Sequence, residues 1–145
     1  MIISTLIEKY QILYRSGMFY LNKNEIINTI VRENNVPNDY GIYIIYSLKN
    51  NLEEIIYIGK SGTMINDGSF KKQGIKKRLT KKQENIVRKK YFQDVIHDNK
   101  FDKLKFLWIV TFDDKNKEIP SLSEAKMIQA YFNEYRRLPL LNKVA

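Results

Sequence analysis

The most informative single residue for chemistry is Glu124, a charge that is out of place. Projected at 100° per residue, a helix over Ser121 to about Arg137 sets Glu124 in the middle of an apolar arc of Met127, Ile128, Tyr131, Phe132 and Tyr135. A buried carboxylate needs something to offset its desolvation, and a divalent cation carrying waters and a substrate phosphate would do so. The competing explanation is local. Ser121-Leu122-Ser123-Glu124 matches a capping box, in which a glutamate at the third helical position bonds back to the cap residue. Two phenols, Tyr43 and Tyr57, stand on adjacent strand-like runs, with Lys60 just after the second and Arg78 beside an Ile75/Leu79 stripe. Singly each has an innocent reading, because strands favour aromatic residues.

The elements that must position these residues follow from the pattern. Tyr40–Ser47 and Glu54–Lys60 are rich in Tyr and Ile and read as a β-hairpin. A strict two-residue Asn50-Asn51 turn would set Tyr43 opposite Ile58, with the phenols on opposite faces. An odd loop centred on Asn50 is therefore expected, placing Tyr43 directly across from Tyr57. Ser61–Gln73 holds two of the six glycines and reads as a loop, followed by a basic helix from about Gly74 and a second helical stretch over Ile86–His97. Lys105–Phe112 is the third strand, and the Ser121 helix closes the chain before Pro139. Ahead of the hairpin, residues 1–38 read as two helices: Leu6, Tyr10, Leu13 and Tyr14 at helical spacing with Gly17 as C-cap, then Asn24 capping Ile26–Val31. The expected fold is α+β, a small central antiparallel sheet of three strands flanked by helices. The expected domains are a helical N-terminal extension over 1–38, packed on the same domain, and a catalytic domain over 39–145.

Composition bounds the partners. One compact domain of 145 residues is expected, with no cysteine for thiolate metal sites or disulfides, so any metal must use oxygen or imidazole ligands, and the single His97 cannot supply a histidine cluster. The net charge of +9 is localised: between Lys60 and Lys90 eleven basic residues face only Asp67 and Glu84. That surplus of nine equals the whole net charge, and a confined basic stripe is what a polyanion partner leaves in a sequence. Lys71, Lys72, Lys76, Lys77, Lys81, Arg88, Lys89 and Lys90 are the residues such a polyanion would contact, and the competing reading of the same stretch is a solvated lysine-rich helix face. The start lacks a basic n-region and a small-residue cleavage site, and no run suits a membrane span, so a cytoplasmic protein with no membrane partner is expected.

Gly41-Ile42-Tyr43, Tyr57-Ile58-Gly59-Lys60, Arg78 on the next helix, Glu124 near the start of a later one and the terminal Asn142 together resemble the ordered motifs of the GIY-YIG endonuclease family, over about residues 40–142. The resemblance implies a metal-dependent DNA endonuclease acting on duplex or branched DNA. It assigns Tyr43 as general base, Tyr57 as the group positioning water or phosphate, Arg78 as the charge stabiliser and Glu124 as the ligand of one Mg²⁺ or Mn²⁺. Lys60 and Lys82 support the site, and Asn142 buttresses it. Family members often carry a tyrosine or histidine one helical turn after the arginine; here that position is Lys82, which can donate to a phosphate but is a poor general base while charged. One such site cuts one strand, so a double-strand break takes a homodimer or two events. The alternative is a non-catalytic nucleic-acid-binding module that retains the nuclease fold.

Overall fold

A computed structural model describes residues 1–71, 74–80, 82–83 and 86–145, with side chains described outside 81–89. The hairpin forms from β2 (Tyr40–Lys49) and β3 (Leu52–Ser61), and β6 (Lys103–Phe112) pairs with the other side of β2. The fourth strand was not expected. After α1 (Ile3–Leu13), the segment Arg15–Asn22 is β1, which pairs antiparallel with β6, so the sheet runs β1-β6-β2-β3. The expected three-stranded sheet and the all-helical N-terminus are both corrected by this strand, since residues 1–38 supply α1, β1 and α2 (Ile27–Glu33).

The physical reason is a long-range contact. Gly17, read as a helix C-cap, lies opposite Trp108 in the strand register, and a Cβ there would approach the Trp108 ring to 2.5 Å. Phe19 and Leu21 then alternate inward, and Phe19 stacks on Phe106 with ring centroids 4.9 Å apart. Asn24 is not a helix cap either: α2 is preceded by Ile26 without a side-chain cap, and Asn24 sits at φ 66°.

Helices cover both faces of the sheet. On one face α1 and α5 (Pro120–Tyr135) pack Ile3, Ile7, Tyr10, Met127 and Tyr131 against Ile42, Ile44, Ile58, Leu107 and Ile109. On the other, α2, α3 (Ile75–Thr80) and α4 (Arg88–Asp98) pack Ile27, Val31, Ile75, Leu79, Phe92 and Ile96 against Leu21, Tyr43, Ile45 and Phe106. Burial on both sides is why β2 reads as a nearly unbroken apolar run rather than an alternating one. Between α3 and α4 lies a two-stranded ribbon, β4 (Lys82–Gln83) and β5 (Ile86–Val87). Among the described residues no helix is long and apolar enough to cross a membrane.

The hairpin solves its register differently from the odd loop expected. Lys49 pairs with Leu52 across a two-residue turn in which Asn50 and Asn51 both take the left-handed conformation, φ 52° and 65°. The parity changes further along, at a bulge: Tyr46 pairs with Ile55 and Ile45 with Tyr57, leaving Ile56 as the extra residue. Tyr43 therefore faces Gly59, neither Ile58 nor Tyr57. The two phenols do share a face, as neighbours on the diagonal, with ring centroids 5.7 Å apart and 32° between planes.

Candidate active site

The edge strand β3 carries the site near its end. Tyr43, on β2, is fully buried and lies across Gly59, whose missing side chain makes the room: a Cβ on Gly59 would stand 2.5 Å from the Tyr57 ring and 2.8 Å from Tyr43 Cζ. The Tyr43 hydroxyl has no hydrogen-bond partner among the described residues, an unusual state for a buried polar group. Arg78 faces both phenols. It is half-buried, and although burial alone would lower its pKa, the neighbouring Tyr43 and Tyr57 raise it above its ordinary value. The guanidinium thus feels both rings without closing a bond of normal geometry to the Tyr43 hydroxyl.

Arg78 points inward because α3 is tied down at its start. Ile75 N–H donates to Asp39 O (2.9 Å), Lys76 N–H to Pro37 O (3.1 Å) and Lys77 N–H to Asn38 Oδ1 (3.2 Å). Those bonds use the orphan donors of the first turn and fix the helix against the lead-in to β2. Ile75 and Leu79 are then buried, and Arg78 turns toward the phenols while Lys76 and Lys77 remain exposed.

Glu124 approaches from the other side of the sheet. Lys60 pairs with Ile42 and shares its face, the one α5 covers, whereas Tyr43, Tyr57 and Arg78 belong to the α3 face. Both halves meet around β3: burial raises the Glu124 pKa, and the positive charges of Lys60 and then Arg78 partly offset that rise. The capping-box explanation fails. Helix α5 begins at Pro120 with Ile119 as its cap and no side-chain cap bond, which puts Glu124 beyond the first turn. The arc is narrower than expected, since Phe132 and Tyr135 are exposed while Met127, Ile128, Ala130 and Tyr131 are buried. Glu124 lies half-buried on its border, makes no hydrogen bond or ion pair with a described residue, and opens onto a groove of about 530 Å³ shared with Ile128, Phe132 and Leu138.

Asn142 reaches the site through the backbone. Its Oδ1 accepts from Ile58 N–H and its Nδ2 donates to Ile58 O, both at 2.9 Å, while Leu141 N–H donates to the bulge carbonyl Ile56 O at 2.8 Å. The C-terminal segment so covers the outer edge of β3 up to the point where Gly59 and Lys60 begin. Ser61, not singled out in the sequence, is also buried and accepts from Gly41 N–H at 3.0 Å, joining the two tripeptides. Its only sequence signal was its place two residues past Gly59.

Of the remaining expected site residues, Lys71 and Lys90 are exposed like Lys76 and Lys77. Lys72 and Lys81 lie outside the described residues, and of Lys82, Arg88 and Lys89 only the backbone is described. That backbone corrects the placement of Lys82: α3 ends at Thr80, and Lys82 begins β4 instead of continuing the helix one turn past Arg78.

As to a metal, no group of three or more His, Asp or Glu side chains among the described residues could enclose an ion. Glu124 supplies one carboxylate, which fits a Mg²⁺ or Mn²⁺ that keeps waters and takes its other protein-independent ligands from a phosphate. In comparisons with known proteins, the chain matches no family model, no curated protein and no solved structure.

Proposed function

We propose that the chain is a metal-dependent DNA endonuclease of the GIY-YIG type, hydrolysing phosphodiester bonds at the end of β3. The observation that supports this reading is the buried Tyr43 hydroxyl, without a hydrogen-bond partner among the described residues, beside the Arg78 guanidinium, with a half-buried Glu124 that feels the charges of Lys60 and Arg78. A structural ion pair would have joined Arg78 to Glu124. Instead the two belong to opposite faces of the sheet, and neither pairs with the other.

In the reaction, the oxygen of a water bonds to phosphorus as the P–O3′ bond breaks, and the departing O3′ takes a proton from solvent, leaving a 5′-phosphate and a 3′-hydroxyl. Tyr43 accepts the proton of the attacking water, and the guanidinium facing it balances the charge of the phenolate that this role requires. Tyr57, beside both, orients the water or the phosphate. Arg78 neutralises charge growing on the non-bridging oxygens. A Mg²⁺ or Mn²⁺ held by Glu124 would supply further neutralisation at the scissile phosphate and leaving oxygen. Lys60 lends its charge to the same end of β3, and Asn142 holds the strand edge. The exposed Lys71, Lys76, Lys77 and Lys90 supply part of the field for the phosphate backbone.

The test is plasmid nicking by purified protein with and without Mg²⁺, beside Glu124→Gln and Tyr43→Phe. Metal-dependent nicks by the wild type alone, with DNA binding kept in both variants, support the proposal. DNA binding without any nick by the wild type would instead identify a non-catalytic binding module.

A further inference from the structure

The end of the sheet next to the candidate site carries a second feature that phosphodiester hydrolysis does not use. Tyr40, Phe70 and Phe112, all half-buried, form an aromatic cluster: Tyr40 and Phe70 stack with centroids 3.9 Å apart and 9° between planes, and Phe70 meets Phe112 edge-on at 5.0 Å. They line a recess of about 620 Å³, inside the roughly 300–1,000 Å³ typical of small-ligand sites.

The cluster is built rather than incidental. Phe70 closes the small hairpin that leaves β3: it bridges Met64, Ile65 N–H bonds Ser69 O, and Lys71 N–H bonds Thr63 O. Asp67 Oδ1 holds the turn through the Ser69 N–H (2.8 Å) and hydroxyl (2.6 Å). The loop after the site is thereby folded back, with Phe70 as its anchor on Tyr40.

The rim sets the ligand chemistry. Its charges cancel, with Arg15, Lys115 and Lys117 against Asp39, Asp113 and Asp114. Arg15 is paired with Asp39, and Asp113 Oδ1 accepts from the Lys115 and Asn116 N–H groups. A neutral rim is unsuited to a phosphate. Aromatic surface beside carboxylate acceptors and the Asn116 amide suits an uncharged heterocycle with amino and carbonyl edges. Tyr40 is the neighbour of Gly41, which pairs with Ser61, so the recess lies two residues of β3 beyond Gly59, roughly 7 Å of strand.

We propose that this recess binds one unpaired nucleobase of the DNA strand being cut, so that the substrate of the site is DNA with single-stranded character beside the scissile phosphate. The inference rests on the nuclease reading for its DNA, but its test is separate.

The full chain is titrated into oligonucleotides carrying 2-aminopurine either in an unpaired flap or inside a duplex, without metal. Binding should quench the flap fluorophore and leave the paired one unchanged. Phe112→Leu and Phe70→Leu, which keep apolar volume but remove the ring, should abolish the quench. They should weaken flap affinity about tenfold, within the range for one stacked base, with duplex affinity within about twofold. Thermal melting checks that each variant folds, and the wild-type contrast between flap and duplex needs no variant. No quench in the wild type, equal quench in flap and duplex, or quench retained in both folded variants would overturn the recess. Quench without metal-dependent nicking sinks the nuclease and leaves the recess standing; nicking without quench does the reverse.

Discussion

Gly59 and Tyr43 occupy one space between them: the phenol ring lies where a Gly59 side chain would be, with Cζ 2.8 Å and the hydroxyl 2.9 Å from an added Cβ. Gly59→Ala must therefore push the ring out of a fully buried position or open the β2–β3 pair. The cost expected from such overpacking is about 1–3 kcal/mol, measured by urea unfolding, together with loss of metal-dependent nicking. An alanine variant as stable and active as the wild type would mean that Tyr43 has another place to go.

Tyr43→Phe should separate stability from activity. The hydroxyl it removes is buried without a partner among the described residues, so its loss relieves a desolvation cost of about 1–3 kcal/mol and leaves the ring packing intact. The variant is expected to be as stable as the wild type or more so, while cleaving nothing. A drop in stability of more than about 1 kcal/mol, the net worth of an ordinary hydrogen bond, would show that the hydroxyl is engaged in the folded protein and count against its standing ready for a water.

Glu124 gives a metal readout that does not depend on turnover. Burial raises its pKa above the ordinary 4.5, with Lys60 and Arg78 pulling the other way, so the folded state holds the proton more tightly than the unfolded chain. Its ionisation then opposes folding at neutral pH, and that cost disappears as the pH falls through the folded-state pKa toward 4.5. Mg²⁺ or Mn²⁺ binding to the ionised carboxylate should raise the melting temperature of the wild type in proportion to RT ln(1 + [metal]/Kd). Glu124→Gln should melt at least as high without metal and show no rise with it. An equal rise in both proteins would place the ion elsewhere.

What was legible in the sequence and what was not divides along contact distance. Tyr40–Ser47, Glu54–Lys60 and Lys105–Phe112 announced themselves because β-branched and aromatic residues are dense there, and α5 because Met127, Ile128 and Tyr131 recur at helical spacing. Strand β1 was hidden, since what makes Gly17 a strand residue is the indole of Trp108, ninety-one positions away. The parity of the hairpin was hidden in the same way. The two tyrosines share a face because of a bulge at Ile56, and the carbonyl of that residue is satisfied by Leu141 from the end of the chain. The candidate residues could be named from the sequence, but their division between two faces of the sheet depends on the strand order β1-β6-β2-β3, which only the full topology reveals.

Asn142→Ala tests that edge. It removes two hydrogen bonds to Ile58 beside the bulge, each worth about 0.5–1.5 kcal/mol net. A loss of roughly 1–3 kcal/mol is expected, with faster amide hydrogen exchange at Ile58 and a fall in nicking that tracks the displacement of β3. Unchanged exchange at Ile58 would show that the C-terminal segment does not guard the strand.

Glu118 predicts the acid and alkaline limits of stability. Its carboxylate is half-buried between α1 and α5 and accepts from the hydroxyls of Tyr10 and, at 2.8 Å, Tyr14, with Lys126 Nζ at 3.3 Å. Burial alone would raise its pKa, but the two phenols and the lysine outweigh it and hold it below 4.5. The stabilisation is therefore complete above 4.5 and is lost as the pH falls through the lower folded-state value. On the alkaline side, burial first and then Glu118 raise Tyr14 to about 12 and Tyr10 further. Both must stay protonated to donate, so their contribution is whole below pH 10 and disappears as the pH rises through about 12. Glu118→Gln should accordingly flatten the stability profile at both ends, in urea melts from pH 3 to pH 11, and lower the plateau between them. A variant that reproduced the wild-type fall below pH 4.5 would assign the acid transition to other carboxylates.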